Sequence, residues 1–291
     1  MSQYKFSGHE TFHCRHFWLK KGYDFNQLGG DQRSNDAVVR LGVGKNMVTS
    51  IHYWMKAFKV TNSESSEITD FGHFIFSSNG KDPYLEDIGT LYMLHYNLMT
   101  NLNQASIYSI TFEEFRKTRI DSEFTAELLF EFAARKLRVE RLDYSEKSLR
   151  NDIKVFLRTY QTATKRGSKS IEDDFASVLL ELNFVNPIQD TFINAEQVFR
   201  IRYDEQPRLS KLIFLHALLD RYEGQESISV KDIQRDVSDK FLCNRDGTEK
   251  KLNDLSDSGY LVYKQDAGRK EIQFKSNLNK WDVLKKYYDE V

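Results

Sequence analysis

The sequence predicts a mainly helical α+β protein, with tandem winged-helix or helix-turn-helix-like domains that each carry a small β-wing. Three observations support this. Residues 34–76 run in the order helix, glycine turn, helix and β-rich ribbon. Residues 209–274 show three helical stretches followed by a hairpin pattern. The 291 residues include 21 Phe, 15 Tyr and 3 Trp but only 3 Pro, a composition that fills cores and does not suit a disordered chain.

Taken in order, Phe12 to Lys20 has a helical pattern that leads into Lys21-Gly22-Tyr23. Ser34-Asn35-Asp36 offers N-cap chemistry to a short helix over residues 37–41. Gly42-Val43-Gly44 breaks that helix, and a longer amphipathic helix follows from Lys45 to Phe58. At about 100° per residue, Met47, Val48, Ile51, Trp54, Met55 and Phe58 form one apolar stripe. The other side carries Lys45, Asn46, Thr49, His52, Tyr53 and Lys56, with no carboxylate among them. Lysine neutralises phosphate, asparagine pairs with adenine, and threonine touches base edges or backbone, so this side is the candidate DNA contact. Arg15, Lys20 and Lys21 add cations upstream. Packing of the same unit against another domain is the competing reading. The β-rich run Ile68–Phe76 is expected to be the wing, and a helix opened by Pro83 closes the unit.

A polar connector over residues 101–109 sets the first boundary, giving domains 1–103, 104–205 and 206–291. In the central domain, Thr111-Phe112-Glu113-Glu114 has the form of a capping box. Helical patterns follow through Leu137 and from Ser145 to Tyr160. A basic stretch occupies residues 162–169, Asn186-Pro187 marks a turn, and residues 198–203 look strand-like. In the last domain, helices are expected from Leu209, over Val230–Val237 and over Lys250–Ser258. Residues 261–264 and 271–274 then flank a hairpin turn. The third of these helices mixes Lys250 and Lys251 with Glu249, Asp254 and Asp257, which suits a protein-facing or purely structural copy.

Charge is unevenly spread. The net charge is −1, yet residues 1–60 hold nine Lys/Arg against four Asp/Glu. A basic end on a slightly acidic body fits localised phosphate contact better than general coating of a polyanion. Cys14 and Cys243 are the only cysteines, which excludes a disulfide framework and a paired-cysteine metal site. With no apolar signal core near the start and no apolar run long enough to cross a bilayer, the reducing cytoplasm is the expected compartment, without membrane association.

His9-Glu10-Thr11-Phe12-His13 matches H-E-x-x-H, which on a helix would put two histidines on one face for zinc. Gly8 directly precedes it and no long helix is available, so packing or capping is expected and no metal site is assigned. Gly42-Val43-Gly44-Lys45 lacks the spacing of a phosphate loop. The acidic groups Asp82/Glu86/Asp87 and Glu172-Asp173-Asp174 match acid-rich first turns of helices, which complement the helix dipole. If the chain cleaves a phosphodiester, the candidates are His9, Glu10, Glu172 and Asp173.

Phe6-Ser7-Gly8-His9-Glu10-Thr11-Phe12, Arg15, Trp18-Leu19-Lys20-Lys21-Gly22, Leu41 to Val48 and Tyr53-Trp54 resemble a bacterial domain-of-unknown-function family. Asp82 to Asp87, His95, Asp152, Phe156-Leu157, Tyr160, Glu172-Asp173 and Tyr287-Tyr288 extend the resemblance over nearly the whole chain. That family is similar to the nicking component of Ssp-type DNA phosphorothioation systems. The resemblance implies DNA as ligand and anti-phage defence as setting. It also implies a cysteine desulfurase, an ATPase and a sulfate-reductase-like enzyme as partners. A nickase of this kind would use Mg2+; otherwise no cofactor is expected. Two readings stay open: a nicking endonuclease, or a non-catalytic, transcription-regulator-like adaptor that recruits partner enzymes.

Overall fold

The computed structural model describes residues 4–31, 34, 36–119, 122–161, 177–266, 268–275 and 278–291. The chain forms two compact units, Met1–Arg202 and Tyr203–Val291. Their mixed α+β content is mostly helix, with one three-stranded antiparallel sheet in each among the described residues. No described helix is long and apolar enough to cross a membrane.

The first unit opens with α1 (Trp18–Gln27), α2 (Ala37–Leu41) and α3 (Lys45–Ala57). Phe12 to Phe17, expected to be helical, is an irregular strap. Gly42 closes α2 at φ 64°, in the left-handed region that glycine adopts without penalty. Gly44 then restarts the chain in extended geometry at the N-cap of α3.

The expected β-ribbon over 68–76 is instead a helix, α4 (Asp70–Phe76). Thr69 caps it, accepting from the Gly72 amide at 3.1 Å, and Phe71, Ile75 and Phe76 are buried. Phe71, Phe74 and Ile75 fall at i, i+3 and i+4, so a run rich in β-favouring residues carries a helical face rather than strand alternation. Close packing favours the helix: a Cβ on Gly72 would come within 2.5 Å of the Val60 carbonyl oxygen. The pairing left in this region is the single bridge Thr61–Ile68.

Helix α5 (Ile88–Met99) is buried from Gly89 to Met99, as befits a central helix that is apolar on every side. It starts at Ile88, capped by Asp87, rather than at Pro83. The presumed connector over 101–109 is also ordered. Helix α6 (Ser106–Ser109) continues as a π-helical turn, Ile110–Phe115, and a 3-10 turn, Arg116–Thr118. Thr111 therefore lies inside a helix rather than at its start, with its hydroxyl donating to the Ile107 carbonyl at 2.7 Å.

Strand β1 (Glu123–Phe124), α7 (Ala126–Val139), α8 (Glu146–Tyr160), β2 (Val185–Ile193) and β3 (Glu196–Ile201) complete the unit, with sheet order β1-β3-β2. Asn186-Pro187, expected as a turn, lies within β2, where the register slips between Pro187 and Phe192. Tyr108, Phe112, Phe156, Tyr160 and Phe184 form an aromatic core around His95, whose Nδ1 is 2.8 Å from the Tyr160 hydroxyl.

The second unit runs α9 (Lys211–Arg221), β4 (Ile228–Ser229), α10 (Val230–Ile233), α11 (Arg245–Asp257), β5 (Leu261–Asp266), β6 (Arg269–Phe274) and α12 (Lys280–Glu290). Helix α10 passes into a π turn at Gln234–Ser238 and a 3-10 turn at Asp239–Phe241. The sheet order is β4-β6-β5, antiparallel throughout. From α6 to β3 and from α9 to β6 the chain thus follows the same order of helix, short strand, two helices and hairpin, with the short strand pairing to the last one.

Candidate nucleic-acid interface

Helix α3 places its side chains much as its periodicity predicts. Val48, Ile51, Trp54 and Met55 are buried beneath it, and α3 packs on α1. Lys45, Asn46 and Thr49 stand exposed on its first turns. His52 is half-buried, and half-buried Lys56 donates to the Ser63 carbonyl at 2.9 Å, which ties it to the following loop. Tyr53 departs from expectation: it is buried, and its hydroxyl donates to the Gln104 carbonyl at 3.0 Å. Its ring meets those of His9 and Trp54 edge-on, and burial pushes the phenol well above its ordinary pKa. It is therefore a packing residue and not a surface contact.

Thr49 and His52 also line an open groove of about 990 Å3 between the end of α1 and the loop after α3. Asp31, Glu64 and Glu67 stand on its walls. Carboxylates repel phosphate, so the part of α3 suited to a polyanion is its amino-terminal end at Lys45 and Asn46. The upstream cations are partly engaged. Arg15 lies over the Trp18 ring at 5.5 Å, Lys20 pairs with Asp24, and exposed Lys21 reaches the Leu41 carbonyl at 3.5 Å.

The H-E-x-x-H string is a clasp. Its backbone turns with positive φ at Ser7, Gly8, Glu10 and Thr11, so the two histidines do not share a helical face. His9 is 2% exposed, with Nε2 3.1 Å from Asp152 Oδ1 on α8. The Ser7 amide donates to both Asp152 oxygens, Trp54 Nε1 donates to the Phe12 carbonyl at 3.1 Å, and the Lys5 amide donates to Ser106 Oγ. Glu10 points outward and is exposed. His9 thus has a structural task, tying the amino-terminal strap to α3 and α8, while the Lys5 amide ties it to α6. Sequence reasoning missed this role for Asp152, which stands 143 positions away.

The acidic group at 82–87 has a similarly local cause. Asp82 accepts from the amides of Glu86 and Asp87, and Asp87 caps α5 through the Thr90 amide. Glu172 and Asp173 lie outside the described residues. Among the described residues no three His, Cys, Asp or Glu side chains are arranged to hold a metal ion, so no residue is assigned to Mg2+.

This architecture defines a mainly helical protein with a surface-turned α2–α3 pair and a clasped amino-terminal strap. The chain belongs to the DUF4007 family, described as a protein of unknown function, whose pattern matches residues 6–288. Two solved structures share the fold over nearly its full length. The SspB crystal structure aligns with a TM-score of 0.83 at 26% identity, covering 98% of this chain and 88% of that one. Magnesium ion-bound SspB aligns with a TM-score of 0.82 at the same identity and coverage. These findings agree with the resemblance to the Ssp-type component drawn from the motifs. No curated protein matches the chain.

Proposed function

We propose that this protein is the DNA-binding subunit of an Ssp-type phosphorothioation and anti-phage defence system, opening one strand so that sulfur can be incorporated. The observation that supports this is the likeness to SspB over 98% of the chain. The exposed cationic start of α3 fits the same reading: Lys45 meets phosphate while Asn46 and Thr49 lie against the groove edge, with His52, Lys56, Arg15, Lys20 and Lys21 flanking. Residues 106–201 and 203–291 are read as two winged helices, because each pairs its short first strand with the last strand of a hairpin. A sulfate-reductase-like enzyme, an ATPase and a cysteine desulfurase are the partners, and the cytoplasm is the compartment.

Mg2+ would supply charge neutralisation for strand cleavage, and the magnesium ion-bound form of SspB makes it the ion to test. The second reading is an adaptor that binds DNA and recruits partner enzymes. It is favoured by His9, whose ring is engaged by Asp152 and buried away from solvent. Incubation of supercoiled plasmid with the full chain, with Mg2+ or with EDTA, separates the two. Mg2+-dependent open circles at constant specific activity through purification support the nickase. Activity that purifies away leaves the adaptor. Failure to bind DNA removes both.

A further inference from the structure

We propose that the second unit carries its own phosphate-backbone cleft for duplex DNA, in the groove between α10, the start of α11 and the β5–β6 hairpin. This rests on the DNA-binding reading above and adds a contact surface that the charge pattern of α11 had placed on the protein-facing side.

The groove encloses about 680 Å3. Lys231 of α10, Arg235 of the following π turn, Arg245 at the first position of α11, and Arg269 and Lys270 of β6 all line it. Five cations from four elements therefore meet at one concave surface, although they are scattered over some forty positions of sequence. Two acids share the lining. Asp239 is buried and engaged by the Tyr203 hydroxyl and Gln234 Nε2, whereas Glu271 remains on the wall.

The cations fall into two sets. Arg235 pairs with Asp232 and Asp236, while Arg245 and Lys270 share Glu249 at 3.2 and 2.8 Å. Arg235 and Arg245 are well exposed, at 60% and 74%, and exposed pairs hold weakly in water, so both guanidinium groups can turn from carboxylate to phosphate. Lys231 and Arg269 have no ion pair or side-chain hydrogen bond among the described residues, and both are exposed. One stands on α10, just past the β4 residue Ser229, and the other beside the hairpin tip, two positions before Glu271, the β6 partner of Ser229. Two exposed cations with no ion pair among the described residues, lining one concavity, suit a ridge of phosphates. The guanidinium groups of Arg235 and Arg245 in the same lining can add bidentate contacts.

The test uses the full chain and a fluorescent short duplex, with anisotropy read over a salt series. Lys231→Ala with Arg269→Ala should weaken binding roughly tenfold and lower the salt slope by about 1.8, since each phosphate contact contributes about 0.9. Lys231→Arg with Arg269→Lys should keep both values near wild type. Both side chains are exposed, so thermal unfolding should be unchanged in every variant. If Lys45→Ala weakens binding while the double alanine variant does not, DNA is held by the first unit alone and the cleft is overturned. If wild type binds no duplex, the proposed function falls with it. If a polyglutamate peptide of equal charge displaces the duplex at equal concentration, the cleft serves acidic protein and not DNA, which also overturns the proposal.

Discussion

His9 and Asp152 face each other across 3.1 Å in the interior of the first unit, each 2% exposed, although 143 positions separate them. The carboxylate also receives the Ser7 amide on both oxygens, so one side chain on α8 holds the strap at both Ser7 and His9. Removing the carboxylate leaves the His9 ring and the Ser7 amide without a partner in the interior, at about 1–3 kcal/mol for each. Asp152→Ala should therefore lower the melting temperature of the first unit by on the order of 10 °C, at roughly 2–4 °C per kcal/mol. Asp152→Asn keeps the shape and part of the hydrogen bonding and should cost less, about 1–3 kcal/mol. Glu10→Ala, on the exposed side of the same strap, serves as the control and should leave the transition in place. An alanine variant that melts with wild type in differential scanning calorimetry would show that the clasp is not structural.

A second prediction sets helix propensity against packing. Gly247 lies inside α11, where replacing glycine with alanine ordinarily gains about 1 kcal/mol. Here an added Cβ would sit 2.4 Å from the Glu205 carbonyl oxygen and 2.6 Å from its Cα. Those are backbone atoms, which cannot swing aside like the end of a long side chain. Overpacking costs about 1–3 kcal/mol and exceeds the propensity gain. Gly247→Ala should thus shift the urea midpoint of the second unit downward, and an upward shift would mean that the loop at Glu205 yields freely.

Helix α3 was legible because its cues are local. Gly42 and Gly44 punctuate it, and Val48, Ile51, Trp54 and Met55 recur at helical spacing. The hairpin after α11 was legible for the same reason, with Gly268 at φ 81° in the turn, and α11 itself only from Lys250: its first turn, from Arg245 and capped by Asn244, carries Gly247 and little apolar signal. Other features depend on partners distant in the chain. Tyr53 sits on the polar side of α3 by angle, yet the strap over residues 7–12 covers it. The run 68–76 reads as a ribbon by its β-favouring residue types, yet Phe71, Phe74 and Ile75 have helical spacing, and Gly72 packs against the Val60 carbonyl in the helix. Lys231, Arg245 and Arg269 carry no shared spacing, and only the fold of the second unit gathers them.

The last prediction concerns pH and His216, which is 4% exposed on α9. Its Nδ1 lies 2.9 Å from the Lys280 carbonyl oxygen, and the Trp281 ring stands 5.7 Å away. Burial holds its pKa below the ordinary histidine value, outweighing the carbonyl and Asp220, which favour the charged ring; the Lys280 charge lowers it further. The neutral ring, with Nδ1–H donating, is therefore the form that folds. In the unfolded chain His216 takes up a proton as pH falls through about 6.5, while in the folded unit it resists until the lower value. Between those two points the unfolded state holds more protons, so stability is full above about 6.5 and declines as the solution is acidified toward the folded value. Asn in place of His216 offers an amide where Nδ1–H stood and cannot be protonated in this range. His216→Asn should accordingly lose a little stability at pH 7.5 and show a shallower fall in melting temperature between pH 7 and pH 5 than wild type. Parallel slopes for the two proteins would assign the acid sensitivity of the second unit to its exposed carboxylate pairs and not to this ring.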